Sequence, residues 1–135
     1  MKQFNLTIKT PGRGYYLITG KIEGAIDINS VETGLLHVFL QHSSASITIN
    51  ENADPTVRED FKNFEEQLVP RNFPYKHNDE GPDDMPAHIK SSLFGCELTL
   101  PISNGRLALG TWQGVYLCEH RDYPHNRNLI LTQYE

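Results

Sequence analysis

The chain has 135 residues, with 12 Lys and Arg against 17 Asp and Glu, giving a net charge of −5 with histidine neutral. That length suits one domain, residues 1–135, and 38% apolar with 21% charged residues is globular composition rather than disorder. The acidic balance excludes the usual profile of a nucleic-acid binder, and no apolar run approaches the roughly 20 residues of a membrane-spanning helix, so neither nucleic acid nor membrane is an expected partner.

The first ten residues alternate polar and apolar, with Phe4, Leu6 and Ile8 in phase, and predict a half-buried strand without a signal-peptide core. Pro11 to Gly14 predicts a turn. Tyr15 to Thr19 and Ile22 to Ile28 read as two further strand segments. Leu35 to Leu40 is apolar on both parities apart from His37, as expected of a strand covered on both faces. It is expected to run on to Asn50. Ala45, Ile47 and Ile49 then point one way, and His42, Ser44, Ser46, Thr48 and Asn50 the other. Two readings stand: a solvent-exposed face, or a lined pocket or interface.

Asp54-Pro55 opens a helix by capping, and Val57, Phe61, Phe64 and Leu68 follow as a buried stripe. Pro70 ends it. After a loop, Pro86 opens a shorter helix with His88 in its first turn and Gly95 as a left-handed cap. Leu98, Leu100 and Ile102 alternate, Asn104-Gly105 predicts a hairpin, and strands follow at Val115–His120 and Leu129–Thr132. Trp112 reads as core. Glu119 and Arg121 share a strand face and read as a pair. Cys96 and Cys118 form no CxxC motif and read as small inert hydrophobes, so a reduced, cytoplasmic protein is expected. Strands, then helices, then strands give an α+β fold, a mostly antiparallel β-sheet or sandwich with two helices inserted between N-terminal and C-terminal strands.

No P-loop, HExxH, G-x-S-x-G or zinc-deaminase signature is present. The stretch His77 to Ser91 carries chemistry of another kind. His77 and His88 flank Asp79, Glu80, Asp83 and Asp84. A helical and a loop imidazole can begin a metal site, with the acids as ligands, orienting partners or base. A solvated acidic loop with two incidental histidines is the other reading. Lys90 and Ser91 near a helix start can receive a phosphate, or are an exposed Lys and a helix-surface Ser. Thr111 and Gln113 share strand parity and can bind a substrate.

Three segments taken together resemble a known family. They are His42-Ser43-Ser44-Ala45-Ser46 with Asn50-Glu51-Asn52-Ala53-Asp54-Pro55, Met85-Pro86-Ala87-His88-Ile89-Lys90-Ser91-Ser92-Leu93, and Gly105-Arg106-Leu107-Ala108-Leu109-Gly110-Thr111-Trp112-Gln113. In this order the chain resembles the YjbQ-like family, also called the secondary thiamine-phosphate synthase family. The resemblance implies a trimer, a histidine-lined pocket for a divalent metal, and a secondary ability to join a pyrimidine diphosphate to a thiazole phosphate. It marks His42, His77 and His88 as metal ligands. The turn at Arg121 to His125 departs from the acid-Gly-Pro-Arg turn of many relatives, and nothing is carried over from it.

The expected function is a metal-binding enzyme acting on a small phosphorylated substrate. Glu51 or Asp84 is the expected general base, and Ser44, Asn50, Lys90, Ser91, Thr111 and Gln113 are the expected substrate contacts. Imidazole ligands suit Zn²⁺ or another transition metal, while Mg²⁺ suits a diphosphate. A homotrimer that binds metal or metabolite without turnover is the alternative.

Overall fold

A computed structural model describes all residues, 1–135. The chain runs β1 (Lys2–Thr10), β2 (Gly14–Leu17), α1 (Thr19–Ala25), β3 (Thr33–Leu40), β4 (Ala45–Glu51), α2 (Pro55–Leu68), α3 (Asp84–Phe94), β5 (Glu97–Ser103), β6 (Arg106–Leu107), β7 (Gln113–Glu119) and β8 (His125–Tyr134). One sheet has the order β1-β8-β3-β5-β6 and the other β2-β7-β4. Every pairing is antiparallel. The α+β reading therefore holds, with three helices rather than two.

The core lies where the apolar faces of the two sheets meet. Leu36, Val38, Leu40, Leu100, Leu129 and Leu131 come from the larger sheet, and Ala45, Ile47, Val115 and Leu117 from the smaller. The opposite face of the smaller sheet carries Tyr15, Ser46, Thr48, Asn50, Tyr116 and Cys118, as the registers Tyr15↔Cys118, Ser46↔Cys118 and Thr48↔Tyr116 require. Helix α3 packs on β4 along this side.

The local chemistry explains most boundaries. Asp54 accepts from the Thr56 N–H at 2.9 Å and Pro55 follows at the first helical position. Asn104 and Gly105 take φ of 51° and 76° in the β5–β6 hairpin, where a glycine is free of Cβ strain. Gly95 has φ of 100° after α3, but its ψ of 161° is extended rather than helical, so the predicted left-handed cap is a kink into β5 instead.

Five expectations fail here. Thr19–Ala25 is a helix, not a strand. Ile18 and Ile22 sit one turn apart and are fully buried, and that packing overrides two glycines of poor helix propensity. The strand expected from Leu35 to Asn50 breaks at Gln41–Ser44, where the chain leaves one sheet for the other. Leu36, Val38 and Leu40 are buried, but Leu35 is 46% exposed, so β3 is covered on one face only. The α2 stripe is open: Phe64 and Leu68 are 66% and 51% exposed, and the only buried α2 residue is Glu65. Trp112 is exposed on a loop, not in the core. No helix is long and apolar enough to cross a membrane.

Candidate metal centre

Helix α3 begins at Asp84, two residues earlier than Pro86 suggests, and that start decides the site. Asp84 and His88 are then four apart and share one helix face. The loop before α3 brings His77 onto the same spot. His77 Nε2 lies 2.7 Å from Asp84 Oδ2, and His88 Nε2 lies 3.3 Å from the same oxygen. Ligand atoms of His77, Asp84 and His88 all fall within 4.8 Å of one another. The two rings stand 5.5 Å apart between centroids.

Tautomers follow from the partners. Ser43 O can only accept, so the His88 Nδ1–H donates to it at 2.8 Å and turns Nε2 toward Asp84. Such a fixed imidazole is how proteins orient metal-binding histidines. Asp84 is buried and its second oxygen is also engaged, since Arg121 Nη1 forms an ion pair with Oδ1 at 2.8 Å. Burial pushes the Asp84 carboxyl up, but the His77 hydrogen bond and the charges of His88 and Arg121 outweigh it and hold it below its ordinary value.

Behind this lies a relay of ion pairs. Arg121 Nε donates to Asp83 Oδ2 at 2.8 Å, and the Asp122 N–H donates to the same oxygen at 2.9 Å. Arg71 grips Asp122 with two bonds of 2.7 and 2.6 Å. Asp83 and Asp84 are thus built into a framework, while Asp79 and Glu80 stay exposed. The Arg121 guanidinium pairs with Asp83 and Asp84 and not with the Glu119 carboxylate; from Arg121, Glu119 accepts only the backbone N–H, at 3.1 Å. Beside His77 a cleft of about 440 Å³ opens, walled by Arg71, Tyr75 and Pro82.

His42 stands outside the group. Its Nε2 accepts from the Asn128 N–H at 2.8 Å, in a separate cleft with Ser44 and Arg127. Ser44 Oγ accepts from Arg127 at 3.0 Å, and Arg127 forms a buried ion pair with Glu119. Glu51 is at the far end of β4, six residues or ~20 Å along the strand from Ala45. Asn50 is at that end too, and its Oδ1 accepts from the Glu51 N–H. Gln113 pairs with Glu51 across the sheet, and its Oε1 accepts from the Gly110 N–H at 2.8 Å. Thr111 is exposed on the preceding loop. Lys90 is neither exposed nor free for a phosphate: it is buried with Nζ 3.8 Å from Glu65 Oε1. Ser91 is buried as well, and lies about two turns beyond the start of α3 rather than at it.

Glu80, one of the acids read between His77 and His88, joins the rim of the group with Oε2 3.4 Å from His77 Nε2. Two residues escaped the sequence reading. His120 is buried, with Nε2 2.8 Å from Ser46 Oγ and Nδ1 without a partner. Burial, then the charges of Lys90, Arg13 and Arg127, push it down to about 3. Glu65 accepts from Tyr15 OH at 2.7 Å and from Arg13 at 3.2 Å. Its place on the α2 stripe, a carboxylate four residues from Phe61, was the available signal.

Comparison with known proteins bears on this arrangement. The family model described as UPF0047 protein YjbQ-like matches residues 4–135. The chain belongs to the YjbQ-like UPF0047 family. The YjbQ protein of Escherichia coli O157:H7 is 50% identical over 131 residues, covering 96% of this chain and 95% of that one. A UPF0047 protein of Synechocystis is 50% identical over 127 residues, covering 93% and 86%. A crystal structure of a YjbQ/UPF0047 protein from Clostridium acetobutylicum superposes with TM-score 0.86 at 38% identity, covering 96% and 98%. A conserved hypothetical protein of Thermus thermophilus superposes with TM-score 0.83 at 38% identity, covering 95% and 97%. The resemblance read from the three sequence segments is therefore a family membership, and the YjbQ-like neighbours share the fold.

Proposed function

We propose that the chain is a metal-binding enzyme acting on a small phosphorylated substrate, with His77, Asp84 and His88 as the metal ligands. The observation that carries this is the convergence of two imidazole nitrogens on one buried carboxylate oxygen. Two nitrogens and one oxygen suit Zn²⁺ or another transition metal better than Mg²⁺, which would arrive with a diphosphate. Three protein ligands leave a coordination position open, as catalytic sites do. A metal held there supplies Lewis acidity toward a phosphate oxygen or water.

The chain's own residues divide the remaining work. Asp84 is engaged through both oxygens and serves as ligand, not as base. Glu80, exposed and loosely held by His77, is the nearer proton acceptor. Arg71, on the wall of the adjoining cleft, is the cation a phosphate meets, in competition with Asp122. Within one chain His42 is not positioned as a third ligand, and Asp84 takes that place. Joining a pyrimidine diphosphate to a thiazole phosphate is then a secondary activity of this site, in a cytoplasmic homotrimer.

The displacement of Glu51, Lys90, Thr111 and Gln113 from the group favours a second reading, capture of a metal or metabolite without turnover. Metal analysis after zinc reconstitution tests the centre: one Zn²⁺ per chain is expected, lost in His88→Ala and Asp84→Ala and kept in His42→Ala. Protein that holds no metal after reconstitution overturns the centre. Thiamine phosphate formation from the two precursors, with hydrolysis of simple phosphoesters as a second assay, tests turnover. Metal retention without either activity selects the binding reading.

A further inference from the structure

We propose that the cavity between α2 and the outer face of the smaller sheet is a second ligand site, one that takes a small planar aromatic bearing a positive charge. It does not rest on the metal reading, since none of its lining residues belongs to the His77–Asp84–His88 group.

The cavity has a volume of about 620 Å³, within the range of small-molecule sites. Its walls are aromatic. Tyr15 and Phe61 stack with centroids 5.6 Å apart, Phe94 enters from the end of α3, and Phe64 and Leu68 flank the opening. Those last two are the residues a helix stripe should have buried, and they stand largely in water. A contiguous apolar surface of this kind marks an interaction site. Thr48 and Asn50 supply polar atoms to the lining, which accounts for the hydroxyl-rich parity of β4.

Charge selects the occupant. The ionisable carboxylates on the lining are Asp60 and Glu65. Tyr15, Arg13 and Lys90 satisfy Glu65. Asp60 is exposed and forms no ion pair within the chain. No Lys or Arg lines the cavity. Arg13 is turned to Glu65 and Glu66, and Arg58 lies over the Tyr116 ring. An anion would find no cation there. A cationic ring meets an unpaired carboxylate and the negative faces of several aromatic rings. A second copy of the chain is the other candidate occupant. The unpaired charge at the opening and the recessed hydroxyl and amide disfavour it, because the cores of protein interfaces are depleted of charge.

Titration calorimetry of the intact chain with benzamidine, benzoate and benzyl alcohol separates these cases. Benzamidine is expected to bind at one site per chain, at least tenfold more tightly than benzoate and more tightly than benzyl alcohol. Asp60→Asn should weaken benzamidine at least threefold and leave benzyl alcohol unchanged. Phe64→Ala, an exposed position whose loss the fold tolerates, should weaken both. Chelator treatment should change nothing, which keeps this result apart from the metal centre. Equal binding of benzoate or benzyl alcohol, or indifference to Asp60→Asn, overturns the proposal. So does a fall in assembly size on Phe64→Asp in the absence of ligand, an outcome that assigns the face to a second copy.

Discussion

Arg121 Nη1 pairs with Asp84 Oδ1 at 2.8 Å, while the two histidines approach the other oxygen, Oδ2. That contact fixes which oxygen faces the imidazoles. Arg121→Ala should therefore weaken zinc retention ~10–100-fold, the usual effect of losing a group that orients a ligand. Arg121→Lys should recover part of the loss, because a point charge cannot hold Asp83 and Asp84 at once. Competition with a chromophoric chelator measures both. Unchanged affinity in Arg121→Ala would mean that Asp84 needs no support from behind.

A second prediction concerns the buried Arg127–Glu119 pair. Arg127 Nε donates to Glu119 Oε1 at 2.7 Å and Thr10 Oγ1 donates to the same oxygen at 2.6 Å. Burial pushes the Glu119 carboxyl up, but the Arg127 and Thr10 bonds prevail and hold it below its ordinary value. A depressed carboxylate contributes stability that is present above its unfolded pKa and lost as pH falls through the folded one. Glu119→Gln should destabilise by ~3–5 kcal/mol at neutral pH, since it leaves Arg127 buried without its partner. Urea melts at pH 7 and pH 3 check it, and the gap between wild type and variant should narrow at the lower pH.

His120 contributes to acid lability at a higher pH. It is held neutral, down to about 3 against an ordinary 6.5, by burial first and nearby cations second. The unfolded chain then binds a proton that the folded chain refuses. This contribution is complete above the unfolded pKa and is lost as pH falls from near 6.5 toward 3, at ~1.4 kcal/mol per pH unit. Replacing the imidazole with an amide, His120→Gln, should flatten the stability curve between pH 6 and 4. A slope unchanged by the substitution would assign the lability to other groups.

Gly34 gives a purely steric test. A Cβ there would stand 2.2 Å from the Tyr134 carbonyl oxygen, and backbone cannot swing aside as a side chain can. Gly34→Ala should cost ~1–3 kcal/mol through overpacking at the end of the β3–β8 pairing. Thermal melts check the loss, and faster amide exchange at Leu35 would place it.

What the sequence made legible divides by range of interaction. The Asp54 cap, the Asn104-Gly105 hairpin and the alternation of Leu98, Leu100 and Ile102 are local signals, and each appears as read. Helix α1 was hidden because Ile18 and Ile22 form it by packing, not by propensity. The pairing of His77 with His88 was readable from the acidic stretch between them. The place of His42 was not, because the group that occupies it is a backbone N–H 86 residues away. Arg121 was misread for the same reason: strand parity pointed to Glu119, while the turn swings the guanidinium to the start of α3.

Helix α3 carries Asp84 and His88 at one end and Phe94 at the other, so six residues of helix, ~9 Å, set the spacing between the His77–Asp84–His88 group and the aromatic cavity. An insertion or deletion between Ile89 and Leu93 would turn one end by about 100° against the other. The length of α3 is therefore a gauge. Substitutions within it can be absorbed one side chain at a time, but a change in residue number would uncouple the two regions in a single step.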